Sequence, residues 1–196
     1  MGIVTLVSGG LDSTVMAVLA KEANVQQFPL FVNYGQRALR QELAACRRSL
    51  RMNHLPKPSV MNVPGFGTLI RSGLTDRSRD IFEDAFTPGR NLLFLLLGAA
   101  YAYEVQADAV SIGLLSESSS LFPDQTSHFA IGAESLLSEC LGRRVKILTP
   151  LMDFTKRDVV ELARKKKIRR TYSCHVGGTR PCGKCISCRE FHFEEN

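Results

Sequence analysis

Apolar residues recur along this chain in two rhythms that alternate with one another. Short runs rich in β-branched and other apolar residues at positions 3–7, 30–32, 59–63, 108–114 and 145–148 predict five strands. Between them the spacing lengthens to a helical period. Leu11, Val15, Val18 and Leu19 share one face after the first strand, and Leu39, Leu43, Cys46 and Leu50 share one within residues 37–51. Positions 92–103 are apolar nearly throughout, which predicts a helix buried on most sides. Thr155 followed by Asp158 has the form of a capping box and predicts a helix from there through Lys166. Strands alternating with helices imply an α/β fold, with a parallel five-stranded sheet and helices on both faces. Positions 64–88 break the rhythm with scattered Gly, Asp and Arg, and are expected to form a functional loop or lid.

Composition sets the scale of this fold. At 196 residues, 44% of them hydrophobic, the chain can bury one sizeable core. One main domain over residues 1–170 is expected, with a small terminal module at 171–196 where four of the six cysteines crowd together. The net charge of +6 suits an anionic ligand, but the basic residues are spread along the chain, so a nucleic-acid surface is not expected. No charged-then-apolar leader opens the sequence, and the longest apolar stretch falls short of the roughly 18 residues of a spanning helix. A cytoplasmic protein without a membrane partner is therefore expected, and clustered cysteines in a reducing compartment point to metal rather than to disulfides. Cys46, inside an apolar stripe, reads as a buried structural thiol.

The first strand runs into Ser8-Gly9-Gly10-Leu11-Asp12-Ser13-Thr14, and a helix follows at once. Such a turn leaves backbone N–H groups and a helix N-terminus free to hold a polyanion. Gly9 and Gly10 let the backbone come close to phosphate, Ser8, Ser13 and Thr14 supply hydroxyls, and Asp12 is placed to help hold Mg²⁺ or to cap the helix. The motif is neither a Walker A loop nor the dinucleotide fingerprint.

Cys174, Cys182, Cys185 and Cys188 follow the spacing C-x7-C-x2-C-x2-C. Four thiolates fill a tetrahedral shell, as a structural zinc site requires; an iron–sulfur cluster is the rival reading. With four cysteines present, His175 and His192 are expected to stand by.

The loop SGGLDST resembles the signature of the PP-loop ATP pyrophosphatases, which have a Rossmann-like fold and split ATP between its α- and β-phosphates. FVNYGQR at 31–37, TPGRNLLFLLLGAAYAY at 87–103, FPD at 122–124, TPL at 149–151 and the terminal cysteines extend the resemblance to the 7-cyano-7-deazaguanine synthases, the QueC family. The resemblance implies an ATP-dependent ligase of queuosine biosynthesis that adenylates 7-carboxy-7-deazaguanine, amidates it with ammonia and dehydrates the amide to the nitrile, with ATP, Mg²⁺ and Zn²⁺ as cofactors. It carries ATP binding onto Ser8 to Thr14, Tyr34 and Gln36, and catalysis onto Asp12, Arg90 and Lys156. Substrate binding falls to Arg90, Asn91, Glu117, Phe122 and Asp124, where a carboxylate could accept hydrogen bonds from the base and Phe122 could pack beside it. Gln125-Thr126 departs from the family, which typically continues with Cys-Arg, and the chain is shorter than its synthases. That departure leaves open a paralogue passing the activated acid to another amine, such as one on a protein. A tRNA-modifying PP-loop enzyme, a non-catalytic nucleotide-binding module and a homodimeric state also stay open.

Overall fold

Strand-forming runs meet side by side because each is apolar on both faces, the pattern of a sheet covered on both sides. The strands are β1 (Gly2–Leu6), β2 (Gln26–Asn33), β3 (Ser59–Asn62), β4 (Ala109–Ser111) and β5 (Lys146–Leu148). In this computed structural model, which describes residues 2–192, they form one sheet in the order β3-β2-β1-β4-β5 with every neighbouring pair parallel. β1 lies at the centre, with Val4 opposite Phe28 on one side and Val110 on the other. The expected α/β architecture is the one observed.

Parallel strands require crossovers, and the helices supply them on both faces. The longer ones are α1 (Leu11–Glu22), α2 (Leu39–Met52), α4 (Arg90–Glu104), α5 (Ser127–Leu141) and α6 (Lys156–Lys165); α3 (Gly65–Leu69) and α7 (Ile186–His192) are short. Val4, Leu6, Leu30 and Val32 turn toward Leu95, Ala99, Ala102 and Leu137 of α4 and α5. Val7 and Phe31 turn the other way, onto Val15, Val18, Cys46, Leu50 and Val159 of α1, α2 and α6. Cys46 thus sits in the second core, where burial pushes its thiol up to about 12. The one buried polar pair in β1 and β2 is closed internally. Thr5 Oγ1 donates to Gln27 Oε1 at 3.0 Å, and Gln27 Nε2 donates to the Ala17 carbonyl at 2.9 Å.

Three elements differ from expectation in extent, and β2 begins at Gln26 rather than at residue 30. β4 ends at Ser111 rather than near residue 114, because the chain peels away after Ile112 N–H bonds the Leu148 carbonyl at 3.0 Å. Residues 64–88 contain α3 and fold back onto the end of β2. Gly67 N–H bonds the Tyr34 carbonyl at 2.8 Å, Arg37 N–H bonds the Leu74 carbonyl at 2.8 Å, and the buried hydroxyls of Ser72 and Thr87 meet at 2.6 Å. The capping box forms as expected, with Thr155 Oγ1 accepting from Asp158 N–H while Asp158 Oδ2 accepts from Thr155 N–H at 2.8 Å. Among the described residues, no helix is long and apolar enough to cross a membrane.

Candidate active site

Strand order reverses direction between β1 and β4, so the loops leaving their C-terminal ends diverge and open a crevice, where ligands of open α/β sheets bind. A cavity of about 300 Å³ lies there. Its floor is the loop after β1, where Ser8, Gly10, Leu11, Asp12 and Ser13 face the opening. Gly9 adopts φ +84°, and a Cβ there would stand 2.4 Å from the Glu42 carbonyl oxygen, so α2 packs directly against the back of the turn. Short internal bonds hold the loop's shape. Ser13 Oγ accepts from Ser8 N–H at 3.1 Å and lies 3.3 Å from the Gly10 carbonyl, while Ser8 Oγ accepts from Gly10 N–H at 3.2 Å. Thr14 turns inward and donates to the Gly10 carbonyl at 2.8 Å, so it and Gly9 support the loop from behind and do not line the cavity.

Charge converges on this floor from distant parts of the chain. Lys156 Nζ lies 2.9 and 3.0 Å from the two oxygens of Asp12 and 3.3 Å from Glu190 Oε2. Burial opposes the Lys156 charge, but Asp12 and Glu190 outweigh it and hold the ammonium above its ordinary range. Arg90, at the first position of α4, has a buried Nε with no partner among the described residues, and its guanidinium carbon is 6.0 Å from the Tyr34 ring centre. His175 Nδ1 is likewise buried and unpartnered, while its Nε2 lies 2.9 Å from Ser187 Oγ. Burial, then the nearby Arg90 and Lys156 charges, push His175 down to about 4, so the ring is neutral near pH 7. Arg90 and His175 thus both line the cavity, and each carries one buried nitrogen without a partner.

The remaining expected positions divide into those brought to the cavity and those held elsewhere. Tyr34, Gln36, Asn91 and Phe122 line it. Asn91 Nδ2 donates to the Asp124 carbonyl at 2.9 Å, which ties the start of α4 to the segment after β4. Phe122 packs on Phe86, with ring centres 5.1 Å apart. Neither Glu117 nor Asp124 is part of the lining. The Glu117 carboxylate is engaged with Ser127, accepting from its N–H at 3.0 Å and its hydroxyl at 2.6 Å, where it favours the N-terminus of α5. Gln125 lines the cavity while Thr126 does not, and both close local structure. Gln125 Oε1 accepts from Leu121 N–H at 2.8 Å and Phe122 N–H at 3.0 Å, and Thr126 caps α5 by accepting from Phe129 N–H at 3.1 Å.

Several lining residues were not singled out by sequence. Glu42 interrupts the apolar stripe of α2, one turn from Leu39 and from Cys46, and a carboxylate on a buried face was a signal that could have found it. Tyr172, Ser173, His175, Ser187 and Glu190 come from the terminal module; His175 stands outside the group of four thiols, as expected, and lines the cavity instead. The His192 side chain and residues 193–196 lie outside the described residues.

The thiols of Cys174, Cys182, Cys185 and Cys188 all lie within 4.8 Å of one another. A tetrahedron of ~2.3 Å metal–sulfur bonds has edges near ~3.8 Å, and the Cys182–Cys188 sulfur pair stands at 3.9 Å. The donor set therefore fits one tetrahedral ion. Although burial opposes ionisation of Cys182, N–H groups of Cys185 at 3.3 Å and Lys184 at 3.4 Å point at its sulfur and hold its thiol down at about 7.

Comparison with known proteins agrees with this arrangement. A family model described as Queuosine biosynthesis protein QueC matches residues 2–194. The 7-cyano-7-deazaguanine synthase of Nautilia profundicola is 32% identical over 95% of this chain and 89% of its own length. The 7-cyano-7-deazaguanine synthase 1 of Desulfitobacterium hafniense is 31% identical over 96% and 88%. Among solved structures, an NMN synthetase from Francisella tularensis shares the fold with a TM-score of 0.56, at 16% identity, over 96% of this chain and 71% of its own. A U34-tRNA thiolase, NcsA, from Methanococcus maripaludis, solved with its 4Fe-4S cluster, does so with a TM-score of 0.54, at 15% identity, over 97% and 63%. With a family match across essentially its whole length, the chain belongs to the QueC family of ATP-dependent enzymes that form carbon–nitrogen bonds.

Proposed function

We propose that this enzyme converts 7-carboxy-7-deazaguanine to 7-cyano-7-deazaguanine in two ATP-dependent stages at the cavity between β1 and β4. In the first, a carboxylate oxygen attacks the α-phosphorus of ATP, pyrophosphate leaves, and ammonia displaces AMP from the acyl carbon to give the amide. In the second, the amide oxygen is adenylated in the same way and leaves as AMP while the nitrile forms. The observation that carries the reading is the meeting of a phosphate-type loop, Lys156 and Arg90 in one cavity, in a chain whose relatives are 7-cyano-7-deazaguanine synthases.

Catalysis of this kind is positioning and charge stabilisation. The backbone N–H groups at the start of α1 receive the pyrophosphate oxygens, and Lys156 turns from Asp12 toward the departing charge. Asp12, facing the same loop, is the carboxylate suited to Mg²⁺, which would neutralise the phosphates. Arg90 offers its guanidinium to the substrate carboxylate or the α-phosphate, Tyr34 and Gln36 lie toward the adenine, and Asn91 and Phe122 line the side on which the deazapurine lies. Cys174, Cys182, Cys185 and Cys188 would hold zinc, whose part is to fix the fold of residues 171–192 against the cavity. Incubation with ATP, ammonium and 7-carboxy-7-deazaguanine, followed by mass spectrometry, is expected to show amide and then nitrile. Pyrophosphate release at a normal rate without any nitrile would refute the second stage.

A further inference from the structure

We propose that Glu42 takes the proton from ammonium when the activated carboxylate is amidated, making it a catalytic base that no sequence motif marks. The inference rests on the amidation reading above, and it starts from where the carboxylate stands. Glu42 lies in the first turn of α2 and lines the cavity, with its own carbonyl packed against Gly9 of the phosphate loop. Arg90 and Tyr34 face it from the other side. It therefore borders the place where loop and Arg90 would bring phosphate and carboxylate together.

Its fixed partner is neutral. Gln36 Nε2 donates to Glu42 Oε2 at 3.1 Å and to the Val32 carbonyl at 3.2 Å, while Gln36 Oε1 accepts from Tyr34 N–H at 3.0 Å. The amide is thus locked by backbone and holds one carboxylate oxygen in place, leaving Oε1 for a ligand. The other acidic groups of the cavity differ, since Asp12 and Glu190 are both engaged by Lys156. The charged and titratable groups around Glu42 are Arg90 from α4, Tyr34 after β2, Tyr172 from the terminal segment and Cys46 one turn along α2. Burial outweighs Arg90 and the Gln36 bond and raises the carboxyl to about 7, a value suited to exchanging protons near neutral pH.

The step balances as follows. Ammonium gives one proton to Glu42 Oε1; the freed nitrogen lone pair forms the C–N bond to the acyl carbon; the acyl C–O bond breaks and its electrons leave with AMP. The second nitrogen-bound proton passes to water, so acyl adenylate and ammonium yield amide, AMP and two protons, after which Glu42 returns its own to solvent. An uncharged nucleophile would not need the first transfer, and that difference is the test.

Glu42→Gln and wild type are compared for acid-dependent ATP–pyrophosphate exchange, for amide formation from ammonium across pH, and for hydroxamate formation from hydroxylamine, which is uncharged at neutral pH. Ammonium-dependent amide is expected to fall roughly 10²-fold or more near pH 7, with the deficit shrinking as pH rises and free ammonia grows. Exchange and hydroxamate formation are expected to fall far less. Equal loss with both amines, or loss of exchange, would assign Glu42 to binding or adenylation instead; unchanged amidation would make it a spectator. Wild type showing no acid-dependent exchange would overturn the adenylation reading itself, an outcome distinct from failure of the variant's pattern.

Discussion

The loop after β1 and the cysteine module face each other across one cavity, yet they are held in shape by different means. Residues 8–13 are fixed by the sheet. Buried Val7 and Leu11 anchor both ends, and the loop's own hydrogen bonds close within six residues. Among its described residues the module has no strand, a helix of seven residues, and a small apolar cluster made of its cysteines with Ile81, Tyr172 and Val176. Even so, it reaches the loop after β1, α6 and the segment that contains Phe82. Tyr172 N–H bonds the Gly9 carbonyl at 2.8 Å, Glu190 contacts Lys156, and the Arg189 guanidinium lies 4.0 Å over the Phe82 ring. One wall is pre-organised by the core, and the other is conditional on what its thiols hold.

Removing that condition should have the largest effect. Cys185 is fully buried, and Cys185→Ser, or chelation, is expected to release the module, because a structural metal supplies on the order of 10 kcal/mol or more to so small a unit. Substrate-dependent pyrophosphate release should fall at least ~10³-fold as Lys156 and the loop lose their facing contacts, while far-UV dichroism of the sheet and its helices persists. Metal analysis and dichroism together check this, and global unfolding would break the contrast between the two walls.

The pre-organised wall should fail differently. Gly9→Ala forces a Cβ to within 2.4 Å of the Glu42 carbonyl and 2.7 Å of Cys46 N, at a φ that disfavours side chains, so about 3 kcal/mol or more of global stability should be lost. Denaturant titration checks it. At Gly10 the nearest atom to an added Cβ is Ser8 Oγ at 3.2 Å, and the same substitution there should cost much less. Equal effects at the two glycines would mean that the turn is not braced by α2.

Lys156 joins the two walls and should show an intermediate effect. Lys156→Met leaves Asp12 and Glu190 facing each other without a cation, and acid-dependent exchange should drop ~10²-fold or more, chiefly in kcat. Glu190→Gln should cost about tenfold or less, since Asp12 still holds the ammonium. A larger loss from Glu190→Gln than from Lys156→Met would invert their roles.

The same contrast explains what was legible in the sequence. Apolar period and the Gly-Gly turn specify β1, the loop and α1 through contacts a few residues long, and the capping box at Thr155 is equally local. The cysteine spacing announced a metal-type cluster because its ligands are near one another in the chain. Glu190 meeting Lys156, Tyr172 bonding Gly9 and Glu42 facing Arg90 are long-range contacts that no local pattern encodes. Glu117 bonds Ser127 instead of lining the cavity, and a carboxylate after a strand end has the same local signature in either place.

On stability, Glu42 offers a small expected effect and the one with an unusual sign. Its carboxyl is raised from 4.5 to about 7 in the folded chain, so between those values the native state binds more protons than the unfolded state. Stability contributed by this group therefore falls as pH rises through that window, and its cost is fully present above about 7. Gln cannot ionise and keeps the shape. Glu42→Gln should thus be more stable than wild type by about 1–3 kcal/mol at pH 8, from ~1.4 kcal/mol for each pH unit between the two values, with the gap closing as pH falls toward the ordinary carboxylate range. Thermal melts of both proteins across this range read it directly. A gap that is flat with pH would mean that the carboxylate stays ionised and hydrated in the fold; a gap that opens with rising pH means that the site bears a standing stability cost, which the wild-type residue offsets only through function.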